Sequence, residues 1–181
     1  MISKLTSSVV ASLIIALSGC ATKGRLDVEK NVVSENVDKS ELQRRAGIRL
    51  QLAVSYYQQG QHKIALDEIR QSLAVYPELT DAYVVRGLVF MELGERQLAD
   101  DNFQYALKLE PAKPETLNTY GWFLCQSGRE RQGLQLLDKV IDDVTYATPG
   151  LVLNNAGLCS LRLKDSAMAE KYFLRGFKVD P

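Results

Sequence analysis

The 181 residues carry 22 basic and 22 acidic side chains, 46% hydrophobic residues and a single histidine. Formal neutrality argues against a nucleic-acid binder, which needs a clustered cationic excess to meet phosphates. Five prolines and twelve glycines are too few for a low-complexity chain, and a chain of this length can bury a continuous core.

The first twenty residues stand apart. Met1 to Lys4 is a short leader with one cation, and Val9 to Leu17 is mostly apolar. That run falls short of the roughly 20 apolar residues a bilayer span requires, so it reads as the core of a signal peptide. Leu17-Ser18-Gly19-Cys20 follows and resembles the bacterial lipobox, in which signal peptidase cuts before a cysteine that becomes acylated (by palmitate among other chains). The alternative is an ordinary secretory signal with a chance cysteine. With residues 1–19 removed, acyl chains on Cys20 would hold the protein to a membrane, since two or more chains give stable anchoring. By resemblance to bacterial lipoproteins, Ala21 in place of Asp favours the outer membrane. The protein would then face the periplasm, an oxidising compartment.

Residues 20–40 comprise the modified cysteine and a polar stretch without apolar helical periodicity, which reads as a flexible tether. Its reach would be about 25 Å, from the square-root scaling of a flexible coil. From Glu41 onward the pattern is helical. Leu52, Ala53 and Tyr56 form one stripe, Gly60 closes it, and Ala65, Ile69 and Leu73 form a second before Pro77. The order returns with Gly87, Phe90, Gly94, Ala99, Phe103, Ala106 and Pro111. It returns again with Tyr120, Gly121, Leu124, Gly128, Gly133 and Leu137, and finally with Ala156, Gly157, Ala169, Phe173 and Pro181. The small residues Ala53, Gly87, Gly121 and Gly157 are spaced by 34, 34 and 36 positions. Such a period marks a solenoid of helix pairs.

These positions resemble the tetratricopeptide repeat from Ala46 to Pro181. The resemblance implies an all-α, right-handed superhelical solenoid of about four repeats, near 46–79, 80–113, 114–149 and 150–181, within a domain spanning 41–181. The small residue lets paired helices approach, the mid-repeat glycine permits a left-handed turn, and proline stops the second helix. The fit weakens at Lys164, where that glycine is missing, and at Gly133, where alanine is usual. The 36-residue interval places two extra residues in Asp142 to Pro149. The last helix, Ser166 to Val179, leaves Phe173, Phe177 and Val179 without a following element in this sequence; they meet a partner, or the working protein is longer.

First helices of tetratricopeptide arrays line a concave groove. Carried onto this chain, the resemblance nominates Leu50, Val54 and Tyr57, then Val84, Leu88 and Met91, then Asn118 and Trp122, then Asn154 and Leu158. The first half is apolar and suits an amphipathic helix or extended peptide; some of these side chains can equally be core. The groove positions carry no lysine or arginine, so recognition of a terminal carboxylate is not expected. Cys125 and Cys159, 34 residues apart on adjoining first helices, can pair in an oxidising compartment, or remain two buried thiols.

Chemistry is not expected. His62 follows a turn glycine and reads as a solvated surface residue. No convergent metal-ligand spacing and no phosphate-binding glycine loop occurs. Asp67, Glu68, Asp100 and Asp101 read as solvated helix faces. No catalytic residue, metal, cofactor or small-molecule substrate is assigned.

A closer likeness rests on Asn118-Thr119-Tyr120-Gly121-Trp122-Phe123-Leu124-Cys125-Gln126, Tyr146-Ala147-Thr148-Pro149 and Asn154-Asn155-Ala156-Gly157-Leu158-Cys159. With the lipobox and tether, these resemble the type IV pilus biogenesis/stability lipoprotein family (the PilF/PilW pilotins). The resemblance implies an outer-membrane lipoprotein that binds the pilus secretin and promotes its outer-membrane localisation and multimerisation. It also implies that the matched cysteines are the family's pair. Known members are longer, with about six repeats by that same resemblance. The alternative is a periplasmic envelope scaffold that recruits peptidoglycan-modifying enzymes.

Overall fold

A computed structural model of the protein describes residues 23–143 and 146–179, with side chains from Asp38. The signal peptide, the lipobox and Cys20 lie outside the described residues. Every regular element among those described is an α-helix: α1 (Lys23–Gln58), α2 (His62–Val75), α3 (Thr80–Glu92), α4 (Arg96–Leu109), α5 (Pro114–Gln126), α6 (Glu130–Ile141), α7 (Pro149–Arg162) and α8 (Ser166–Val179). The chain divides into two units, Met1–Ser40 and Glu41–Pro181.

In the first unit the backbone of residues 23–40 is helical, where the sequence reading places a coil. Residues 25–40 contain neither glycine nor proline, so nothing interrupts the i→i−4 ladder. Weak amphipathicity led to the coil assignment, but periodicity reports burial and not helicity itself.

The second unit is a stack of helix pairs. In α6 the buried residues are Gly133, Leu134, Leu137 and Val140, a spacing that keeps one face inward. In α2 they are Ala65, Ile69 and Ser72, and in α4 Ala99, Phe103 and Ala106 lie on the same stripe. Prolines stand two residues past the ends of α2 and α4, and Pro114 and Pro149 open α5 and α7. Where α2–α3 and α4–α5 are joined by four residues, α6–α7 takes seven, and the longer interval is accommodated there.

Three of the four intra-pair turns are built on a left-handed glycine: Gly60, Gly94 and Gly128 have φ of 71°, 77° and 80°. The first two close a helix with two backward bonds, as when Gly60 donates to the Tyr57 carbonyl and Gln61 to that of Tyr56, and in the third Arg129 donates to the Leu124 carbonyl. The fourth turn makes the same pair of bonds, from Lys164 to Leu161 and from Asp165 to Ser160. Lys164 is held at φ 62°. The turn is dictated by the pairing of the helices, and the lysine takes a strained conformation to make it.

Small residues set how closely the pairs pack. A Cβ on Gly87 would lie 2.8 Å from the Phe103 ring, and one on Gly157 would strike the Phe173 ring. The third pair does it differently. A Cβ on Gly133 would stand 2.5 Å from both the Gly121 carbonyl and the Cys125 sulfur. That explains the missing alanine: α5 and α6 meet backbone to backbone beneath the cysteine.

The core falls into three clusters along the stack: one around Ala53, Ile69 and Val89, one around Phe103, Tyr120 and Phe123, and one around Leu137, Val140 and Val152. Leu73, Leu107 and Ile141 occupy one register position in successive pairs, and each packs against such a cluster. Phe177 holds that position in α8 and is 70% exposed.

Candidate binding groove

First helices α3, α5 and α7 adjoin one another in the stack, so their outward residues share one surface. Between α1 and α3 that surface opens into a pocket of about 500 Å³, lined by Leu50 and Val54 from α1 and by Leu79, Val84 and Val85 from the second repeat, with Asp81 at its edge. The sequence reading had named Leu50, Val54 and Val84 for the groove, and the structure brings them together here. It missed Leu79, Asp81 and Val85. Asp81 lies one turn before Val84, so extending each nominated position by one helical turn would have found it.

The other nominees vary. Val54, Tyr57, Val84, Leu88, Met91 and Trp122 are half-buried, while Asn154 and Leu158 are exposed. Leu50 is only 9% exposed and belongs to the first core cluster as well as to the pocket wall. Asn118 is 7% exposed, and its side-chain carbonyl accepts a hydrogen bond from the Asn155 amide at 3.0 Å. The polar half of the surface is therefore partly occupied with its own cross-repeat pairing.

Cys125 and Cys159 are joined as a disulfide, their Cα atoms 5.4 Å apart and both residues fully buried. The bond ties α5 to α7. A second tie links repeats two and three. The Asp100 carboxylate accepts from both terminal nitrogens of Arg129 at 2.7 and 3.1 Å, and from the Tyr120 hydroxyl at 2.8 Å. Gln104 donates to the same carboxylate at 3.0 Å. Burial opposes the Asp100 charge, but the Arg129 and Tyr120 hydrogen bonds outweigh it and hold the carboxyl below its usual range. Burial first, and then the bond to Asp100, push the Tyr120 hydroxyl up to about 12.

Three sequence readings are corrected by this geometry. Asp100 is not a solvated acid but a 7% exposed one held by three donors, because the turn between α5 and α6 brings Arg129 back to α4. Glu68 is likewise half-buried against Arg49 at 2.8 Å. His62, expected on the surface, is half-buried with its ring 6.1 Å from that of Tyr57. The Asp100 and Glu68 carboxylates act as ties between helices.

No family model matches the chain. A curated protein does: the type IV pilus assembly protein PilF of Pseudomonas aeruginosa is 29% identical over 174 residues. That alignment takes in 96% of this chain and 66% of PilF. A crystal structure of PilW, described as a widely conserved type IV pilus biogenesis factor, superposes with a TM-score of 0.72 at 31% identity. It covers 75% of this chain and 62% of PilW. A structure of Pseudomonas aeruginosa PilF gives 0.73 at 30% identity, over 78% and 63% of the two chains. This chain is a tetratricopeptide-type relative of PilF and PilW.

It spans about two thirds of the length of PilF. A crystal structure of MamA also superposes, with a TM-score of 0.61 at 20% identity over 87% of this chain and 90% of that one; that likeness concerns the fold alone. The likeness to PilF and PilW agrees with the family resemblance stated from the sequence.

Proposed function

We propose that this protein is a pilotin: a lipid-anchored outer-membrane scaffold for type IV pilus biogenesis that binds the pilus secretin and promotes its localisation and multimerisation. The observation that carries the reading is the likeness to PilF and PilW along most of the chain. The apolar surface of the first two repeats supports it, because a groove with half-buried Val54, Leu88 and Met91 suits capture of a polypeptide. Acylation at Cys20 would confine that surface to the membrane where the secretin assembles. The captured segment is then concentrated by tethering and not by tight binding alone.

The test is made in cells. A deletion strain should lose secretin multimers from the outer membrane, and Cys20→Ala should misplace both the protein and those multimers. Leu88→Asp should abolish crosslinking between the groove and the secretin. Undiminished multimers in all three strains would refute the reading. Crosslinks to cell-wall hydrolases in place of secretin would favour the envelope-scaffold alternative.

A further inference from the structure

The mouth of the α1–α3 pocket has a definite electrostatic character. Asp81 stands on its edge and is 2.7 Å from the Lys113 ammonium, which also lies 3.4 Å from Glu110. Two carboxylates share one cation there, so that side carries a net negative charge. Further along α1, Tyr57 follows Val54 by one turn. Burial first, and then the nearby Glu92 carboxylate, push its hydroxyl above the usual range. Glu92 is exposed at the end of α3.

Two cations of the same helices are engaged elsewhere. Arg49 of α1 reaches across to Glu68 on α2, and Arg86 of α3 donates to Asn102 on α4 while stacking on Tyr83. No lysine or arginine lines the pocket. The hollow is therefore mostly apolar with Asp81 as the one carboxylate in its lining, and Leu88 and Met91 continue beyond it along α3 towards the exposed Glu92.

We propose that this pocket selects a polypeptide segment with one large apolar anchor flanked by lysine or arginine. The anchor fills the space between Leu50, Val54 and Val84, while the flanking cations meet the Asp81–Glu110 side and Glu92. Charge of this kind acts chiefly on partner choice and association rate. An acidic-flanked segment with the same anchor is rejected by repulsion at the same groups. The inference rests on the groove reading above and adds the rule by which a segment is chosen.

The experiment uses the whole protein and two sets of fluorescent peptides. One set tiles the pilus secretin; the other carries a central leucine or phenylalanine flanked by either lysine or glutamate. Lysine-flanked peptides should bind about tenfold more tightly than glutamate-flanked ones at low salt, and the gap should close near 0.3 M salt. Glu92→Gln and Asp81→Asn should each reduce lysine-flanked binding about threefold, as for exposed charge pairs, with unchanged thermal melts. Val84→Ala should weaken both peptide types and leave their ratio intact. Equal or better binding of glutamate-flanked peptides would overturn the proposal, as would a preference untouched by both charge variants. If lysine-flanked peptides bind and no secretin peptide does, the selection rule stands and the secretin falls as partner.

Discussion

The carbonyl oxygen of Gly121 sits 2.5 Å from the point where a side-chain carbon on Gly133 would stand. This closeness of α5 and α6 leaves no space for the alanine found at the equivalent positions Ala65 and Ala99. Gly133→Ala should therefore destabilise the protein by about 1–3 kcal/mol, the usual range for overpacking. Gly47→Ala is the matched control: nothing lies within 4 Å of its new methyl, and helix propensity should stabilise it by about 0.5–1 kcal/mol. Urea melts of the two variants should move in opposite directions.

Lys164 offers the reverse case. It holds a left-handed turn that glycine holds in the other three pairs. Lys164→Gly should stabilise by about 0.5–1 kcal/mol, the left-handed penalty less glycine's extra chain entropy. The melting temperature should rise by about 1–4 °C. Gly94→Ala should lower it by a similar amount.

The disulfide between α5 and α7 closes a separation of 34 residues. Its removal should cost about 3–4 kcal/mol by the chain-entropy relation. Cys125→Ala with Cys159→Ala, measured by denaturant unfolding beside the oxidised protein, should show that loss. Reduction of the unfolded native chain should add two daltons by intact mass.

Asp100 sets a pH dependence. Its folded-state pKa lies below the ordinary value because the Arg129 and Tyr120 bonds overcome burial. The unfolded state then binds the proton more readily, so the contribution is present above the ordinary carboxylate pKa, near 4, and is lost as pH falls through the lower folded value. Stability should decline on acidification below about pH 4, and the part of that slope due to this group should vanish in Asp100→Asn. Arg129→Met should cost about 2 kcal/mol at neutral pH, the magnitude of a hydrogen bond to a charged group, by leaving the carboxylate without its main partner.

Much of this was legible because the repeat writes the same instruction several times. Gly60, Gly94 and Gly128 return in register, and so do Ala65, Ala99 and Ala169; a signal repeated at one period resists chance. The residues missed are those whose role depends on a neighbouring repeat. Asp100 reads as one more surface acid until Arg129 arrives from 29 residues away, and Asp81 reads likewise until α1 forms the opposite wall. The helical backbone of residues 23–40 escaped notice for another reason: no stripe of apolar residues advertises it. The groove was found in outline because first helices repeat their outward positions. Its depth at Leu50 and its internal amide pairing at Asn118 are set by packing distances that periodicity does not encode.

The covalent link and the Asp100 clamp both reinforce repeats two to four, whereas α1 and α2 are held by the Arg49–Glu68 pair and a bond from Ser72 to the Ala46 carbonyl. Fraying of the stack should begin at that less reinforced edge, which is also the wall of the pocket. Amide hydrogen exchange would then be fastest in residues 41–75 of the free protein, and an occupant would register first as slowed exchange there, before any change in the melting of the remainder.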